Sequence, residues 1–180
     1  MHIFLQGPRH CGKSTVIRRV LEILMEQAPL NLGGFFTWNG GPDDPYIYMR
    51  PAQAGREREI YRLAGYGADG GGLRCDPMVF EHTGVSLLTG SAGADLLLMD
   101  ELGFLEGQAP SFRQAVLAAL AGDTPVLGVL RLGDIPWHRE IKDNPLVTLC
   151  EVNEKNRGAL PRELAAGLAV ILKKRIHLSF

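Results

Sequence analysis

Residues 7 to 14 read Gly7-Pro8-Arg9-His10-Cys11-Gly12-Lys13-Ser14, which satisfies G-x-x-x-x-G-K-[ST] (Walker A) at every fixed position. This octapeptide constrains the fold more than any other feature, because it works only between a strand and a helix. The glycines allow torsions that turn successive N–H groups inward onto phosphate oxygens. The helix that follows adds its unpaired N-terminal N–H groups and the positive end of its dipole. Both flanks are present. Ile3-Phe4-Leu5 is a short apolar run that predicts a buried strand. After Gly12, residues Val16, Ile17, Val20, Leu21, Leu24 and Met25 recur at three- and four-residue spacing, predicting an amphipathic helix that ends near Pro29. In a chain of 180 residues with 22 glycines, a chance match has odds on the order of 1%, and the flanks lower them further. The loop therefore predicts nucleoside triphosphate binding by Gly7, Pro8, Arg9, His10, Cys11 and Gly12. Lys13 would reach the β- and γ-phosphates as a point charge, and the Ser14 hydroxyl would ligate Mg²⁺. Thr15 would stand within reach of the α-phosphate.

The remaining chain alternates strands and helices. Gly33 to Trp38 predicts a second strand, and Tyr46 to Met49 a short one. Residues 39–75 are otherwise the least legible, with turn residues at Gly40-Gly41-Pro42-Asp43-Asp44-Pro45 and a turn or loop at Gly67–Gly72. They predict an inserted hairpin or lid, since no apolar pattern there is long enough for a second core. A weak helix is expected at 77–89, and a helix with a serine start from Ser111 to Leu120. Strands are expected at Pro125–Leu130 and Leu146–Val152, and a closing helix at Leu160–Lys174. The sum is a three-layer α/β fold with a mostly parallel sheet. At 180 residues the chain reads as one domain, residues 1–180.

Leu96-Leu97-Leu98-Met99 is a continuous apolar run, as in a central parallel strand buried on both faces, and it ends in Asp100-Glu101. In triphosphate-binding loops of this kind a strand-end aspartate (Walker B) holds Mg²⁺, which suits Asp100. An adjacent carboxylate polarises the attacking water as general base, which suits Glu101. A kinase needs no such water-activating group, so Glu101 tilts the reading towards hydrolysis. Alternatively, the pair is simply a polar strand end meeting solvent.

In the order of these landmarks the chain resembles the small P-loop nucleoside-triphosphatases often called cancer-related nucleoside-triphosphatases. The resemblance runs through Gly33-Gly34-Phe35-Phe36-Thr37, Asp100-Glu101-Leu102-Gly103 with Glu106, Val126-Leu127-Gly128, and Val152-Asn153-Glu154-Lys155-Asn156-Arg157 with Leu160-Pro161. It implies a RecA-like sheet and Mg²⁺-dependent hydrolysis of ATP, GTP or related triphosphates to diphosphate and phosphate. It also carries Asn156 and Arg157 over as nucleotide contacts; the alternative is that Asn153 and Asn156 make turn and cap hydrogen bonds while Arg157 is solvated. The family follows its second strand with Glu-Val-Arg and a further arginine. Here Trp38-Asn39-Gly40-Gly41 stands in that place, and Arg50, Arg56 and Arg58 are the candidate substitutes.

Arg131 follows the strand at 126–130 and is a candidate internal arginine finger for the γ-phosphate, or else a surface cation. Trp38 either stacks on a base or packs in the core. His82 and His138 lack ligand spacing. Cys11, Cys75 and Cys150 form no CxxC pair, and reduced thiols in a cytoplasm are expected. A net charge of −1 supplies no global field for nucleic acid or an anionic membrane. No apolar run reaches 18 residues, and the start carries no secretory pattern. The leading expectation is a nucleoside-triphosphatase whose protein partner is unknown. The alternatives are a nucleotide or small-molecule kinase, or a non-enzymatic nucleotide-dependent switch or assembly factor.

Overall fold

The computed structural model describes residues 1–66 and 72–178. Eight strands form one sheet: β1 (His2–Gln6), β2 (Leu32–Gly41), β3 (Asp44–Pro51), β4 (Tyr61–Tyr66), β5 (Leu73–Cys75), β6 (Leu96–Leu102), β7 (Val126–Leu130) and β8 (Val147–Glu151). Their order across the sheet is β5-β4-β3-β2-β6-β7-β1-β8. From β2 to β8 every pairing is parallel, while β2, β3, β4 and β5 pair antiparallel. The helices are α1 (Lys13–Gln27), α2 (Val85–Thr89), α3 (Pro110–Ala121), α4 (His138–Lys142) and α5 (Leu160–Leu178). The expected mostly parallel, RecA-like α/β sheet is what the chain forms.

Alternation along the central strands builds the two outer layers. Ile3 and Leu5 of β1, Leu96 and Leu98 of β6, and Leu127 and Val129 of β7 pack with Val16, Ile17, Val20 and Leu24 of α1 and Leu164 and Leu168 of α5. Phe4, Leu97, Met99, Val126 and Leu130 point the other way, to Phe112, Val116 and Leu120 of α3. Period-two alternation in strands buried on both faces produces this split. Phe112 sits at the centre of the second layer, its ring 5.8 Å from Phe35 and 5.2 Å from Phe80. Each such fully buried side chain contributes about 1.5–3 kcal/mol. Gly34 has φ +83°, and a Cβ there would collide with the Leu98 carbonyl of β6, so only glycine lets β2 lie this close.

Several expectations shift in detail. Helix α3 begins at Pro110, not Ser111, because proline suits a first helical position whose N–H has no partner anyway. The weak helix at 77–89 is a π-helical turn, Val79–Gly84, running into α2. The short strand at 46–49 extends over Asp44–Pro51, and β2 runs on to Gly41, because the two pair with one another. Residues 39–75 hold three antiparallel strands that continue the sheet. The turn expected at Gly67–Gly72 lies, over 67–71, outside the described residues. Among the described residues no helix is long and apolar enough to cross a membrane.

Candidate active site

The loop after β1 turns sharply into α1. Gly12 caps the helix with φ +106°, and His10 also has positive φ, at 61°. A non-glycine residue at the first of these would be strained. Lys13 is buried, and its Nζ donates across the loop to the carbonyls of Gly7 (2.9 Å) and Pro8 (2.8 Å). The loop is thereby braced from within by a buried cation. Cys11 points inward, its Sγ 3.9 Å from that Nζ, and does not line the cavity.

That cavity, about 790 Å³, opens above the C-terminal ends of the parallel strands. Gly7, Pro8, Arg9, His10, Gly12, Lys13, Ser14 and Thr15 line one end. Asp100 and Glu101, at the end of β6, and Arg131, just after β7, line the same cavity. Because β7 lies between β1 and β6, the acidic pair faces the loop from two strands away. Ligands of open α/β sheets bind at this strand end, where crossovers leave a crevice.

Asp100 is buried, and its carboxyl is pushed up to about 7, first by burial, then by the Glu101 carboxylate, with the Lys13 ammonium opposing. The Glu101 N–H donates to Thr37 Oγ1 at 3.0 Å, which ties the acidic pair to β2. Arg131 Nη1 stands 3.7 Å from Glu101 Oε1, and its guanidinium lies 4.8 Å over the Phe104 ring. Both partners of this ion pair are about one-third exposed, so it holds them loosely.

Three further residues hold the backbone at and just after the acidic pair, and reading residue types alone did not assign them roles. Glu106 is buried at the cavity wall, and its Oε2 accepts from the Gly103 N–H at 2.9 Å. Burial pushes its carboxyl up to about 7, against its own N–H and that of Gly103. Trp137 donates its Nε1–H to the Gly103 carbonyl at 2.9 Å, so both polar groups of Gly103 are held by side chains. Thr37 is the anchor just described. The one signal in the sequence was the place of Thr37 and Glu106 among the quoted landmarks.

Asn156 and Arg157 are not on the cavity lining. The Asn156 side-chain amide donates to the Glu151 carbonyl (2.7 Å), and its Oδ1 accepts from the Asn153 N–H (2.9 Å). Asn153 in turn accepts from the N–H groups of Lys155 and Asn156. These bonds shape the turn between β8 and α5. Arg157 is exposed and lies against the outside of the loop, its Cδ 3.5 Å from where a Cβ on Gly12 would stand. Trp38 is on the cavity wall, stacked on Tyr48 with centroids 5.5 Å apart.

A phosphate-binding loop on β1, an acidic strand end on β6 and a strand between them define a P-loop nucleotide-binding fold of the RecA-like kind. The NTPase family model matches residues 2–165, and the chain belongs to that family of enzymes. Among its relatives, the nucleoside-triphosphatase THEP1 of Thermofilum pendens is 30% identical over 179 residues, covering 96% of this chain and 98% of that protein. The THEP1 of Thermotoga sp. strain RQ2 is 28% identical, covering 93% and 95%. The fold is also that of THEP1 from Aquifex aeolicus (TM-score 0.75, 18% identity, 93% and 99% covered). It is shared with a human cancer-related nucleoside triphosphatase (TM-score 0.74, 22% identity, 93% and 96% covered).

Proposed function

We propose that residues 1–180 act as one domain that hydrolyses ATP or GTP to the diphosphate and phosphate, with Mg²⁺, in the cytoplasm. The observation that carries this reading is the single cavity shared by the loop of β1, the acidic pair of β6 and Arg131 of β7. The three free cysteines support the location.

Lys13 donates to two loop carbonyls and, weakly, to Cys11 Sγ at 3.9 Å, and on binding it exchanges that weak third contact for a β- or γ-phosphate oxygen. The loop N–H groups, from which Pro8 is missing because proline has none, and the start of α1 receive the remaining phosphate charge. Ser14 and Asp100 are hard oxygen donors of the kind Mg²⁺ takes. Among the described residues no group of three His, Cys, Asp or Glu could hold a metal by itself. That fits an ion carried in with the phosphates and completed by water. When bound, it would neutralise charge on the β- and γ-phosphates.

Glu101 orients the attacking water in line with the γ-phosphate and takes its proton. Arg131 swings from its loose pairing with Glu101 to the γ-phosphate oxygens as charge develops there. Arg157, against Gly12 on the β8 side, contacts the nucleoside end, and Asn156 serves by shaping the turn that presents it. The test is phosphate release from ATP and GTP by the purified chain, wild type against Glu101→Gln. Loss of general-base catalysis should cost about 100-fold or more. Equal rates would remove Glu101 from the mechanism.

A further inference from the structure

The cavity is larger than the phosphate chemistry uses. About 790 Å³ is in the range that encloses a whole small molecule, yet the loop and the acidic pair occupy one end. The other end is formed by Trp38, Ile47, Leu63 and Leu73 from β2, β3, β4 and β5, with Phe104 and Leu105. The sheet order places this wall on the far side of β6 from the loop. If Glu101 faces the γ-phosphate, the nucleoside runs back past Thr15 towards β8. The apolar wall then lies beyond the γ-phosphate, where a nucleophile must approach.

This wall is built, not accidental. Trp38 is stacked on Tyr48, and the Tyr48 hydroxyl donates to Asp44 Oδ2 at 2.9 Å. Its charge pattern is selective. Among the described residues of β2–β5 that line the cavity none is charged: the polar ones are Thr37, Asn39 and Tyr66, and the Glu101 and Glu106 carboxyls, with Arg131 paired to Glu101, line the same cavity. Such a wall offers an anionic second ligand no cation of its own and suits a flat, neutral one.

We propose that this end binds a neutral hydroxyl compound with a planar apolar body, of the nucleoside class, as a phosphoryl acceptor beside water. The proposal rests on the roles given above to Lys13 and Glu101. The acceptor hydroxyl oxygen forms a bond to the γ-phosphorus. The bond from that phosphorus to the β–γ bridging oxygen breaks, and the diphosphate leaves with the electron pair. The hydroxyl proton passes to the Glu101 carboxylate and then to solvent. Water follows the same course when the wall is empty.

The experiment incubates the chain with Mg²⁺, γ-labelled ATP and each of adenosine, guanosine, cytidine and thymidine. Inorganic phosphate and nucleoside monophosphate are measured in the same reaction. At least one nucleoside should give labelled monophosphate at ten times the rate of phosphate release or more. Ile47→Asp and Trp38→Leu, both at partly exposed positions, should each raise the KM for that nucleoside tenfold or more while phosphate release without nucleoside stays as in the wild type. Phosphate release with no labelled monophosphate from any of the four overturns the acceptor site and leaves the hydrolase reading intact. Neither product overturns both. Monophosphate formed equally well by the two variants overturns the placement.

Discussion

Glu106→Gln isolates a carboxyl that folding has moved out of water. Glu106 is fully buried, and its carboxyl titrates at about 7 against an ordinary 4.5. Between those values the folded chain binds more protons than the unfolded chain. The contribution of this group to stability is therefore greatest below about 4.5 and is lost as pH rises to about 7. The span corresponds to about 3 kcal/mol. Glutamine keeps an acceptor for the Gly103 N–H but brings an NH₂ with no assigned partner, a pH-independent cost of about 1–3 kcal/mol. The variant should thus be the less stable protein at pH 4.5 and should gain about 3 kcal/mol on the wild type by pH 8. In Tm that relative gain is about 6–12 °C for a chain of this size. Urea unfolding of both proteins at pH 4.5, 6 and 8, without nucleotide, measures it. A gap that stays constant across the three pH values would refute the claim that burial dominates the titration of Glu106.

Asn156→Ala removes two backbone hydrogen bonds from the β8–α5 turn and should cost about 1–2 kcal/mol in urea unfolding, with KM for ATP changed less than threefold. A tenfold rise in KM with unchanged stability would instead make Asn156 a nucleotide contact. Trp137→Phe strands the buried Gly103 carbonyl and should destabilise by about 2–4 kcal/mol. Calorimetry would register it, and because Gly103 lies between Glu101 and Glu106, kcat should fall with it.

The parts of the site legible in the sequence were those whose chemistry is local. The loop needs particular torsions at Gly12 and a strand and helix on either side, all within 27 residues of the start. The acidic pair was visible because an apolar run had to end somewhere and ended in Asp100-Glu101. Strand β4 was not visible. Leu63 and Ala64 are both buried although adjacent, so Tyr61–Tyr66 has no clean alternation to read. The five residues of α4 are too short to show a helical period. Glu106 looked like one more carboxylate in a turn, because burial is a property of what covers a residue.

The phosphate loop, its flanking strand and helix, and the α/β layering were determined by the sequence itself. Backbone torsions, helix dipoles and apolar periodicity act over neighbours in the chain, so residues 1–27 carry their own instructions. Only the tertiary structure decided that β7 lies between β1 and β6, setting the loop opposite the acidic pair. It also turned Asn156 to the Glu151 carbonyl, sealed Glu106 from water and made strands β2–β5 the far wall of the cavity. Each of these depends on which distant strand ends up adjacent. Strand adjacency is set by the packing of the whole sheet, which no stretch of local sequence specifies.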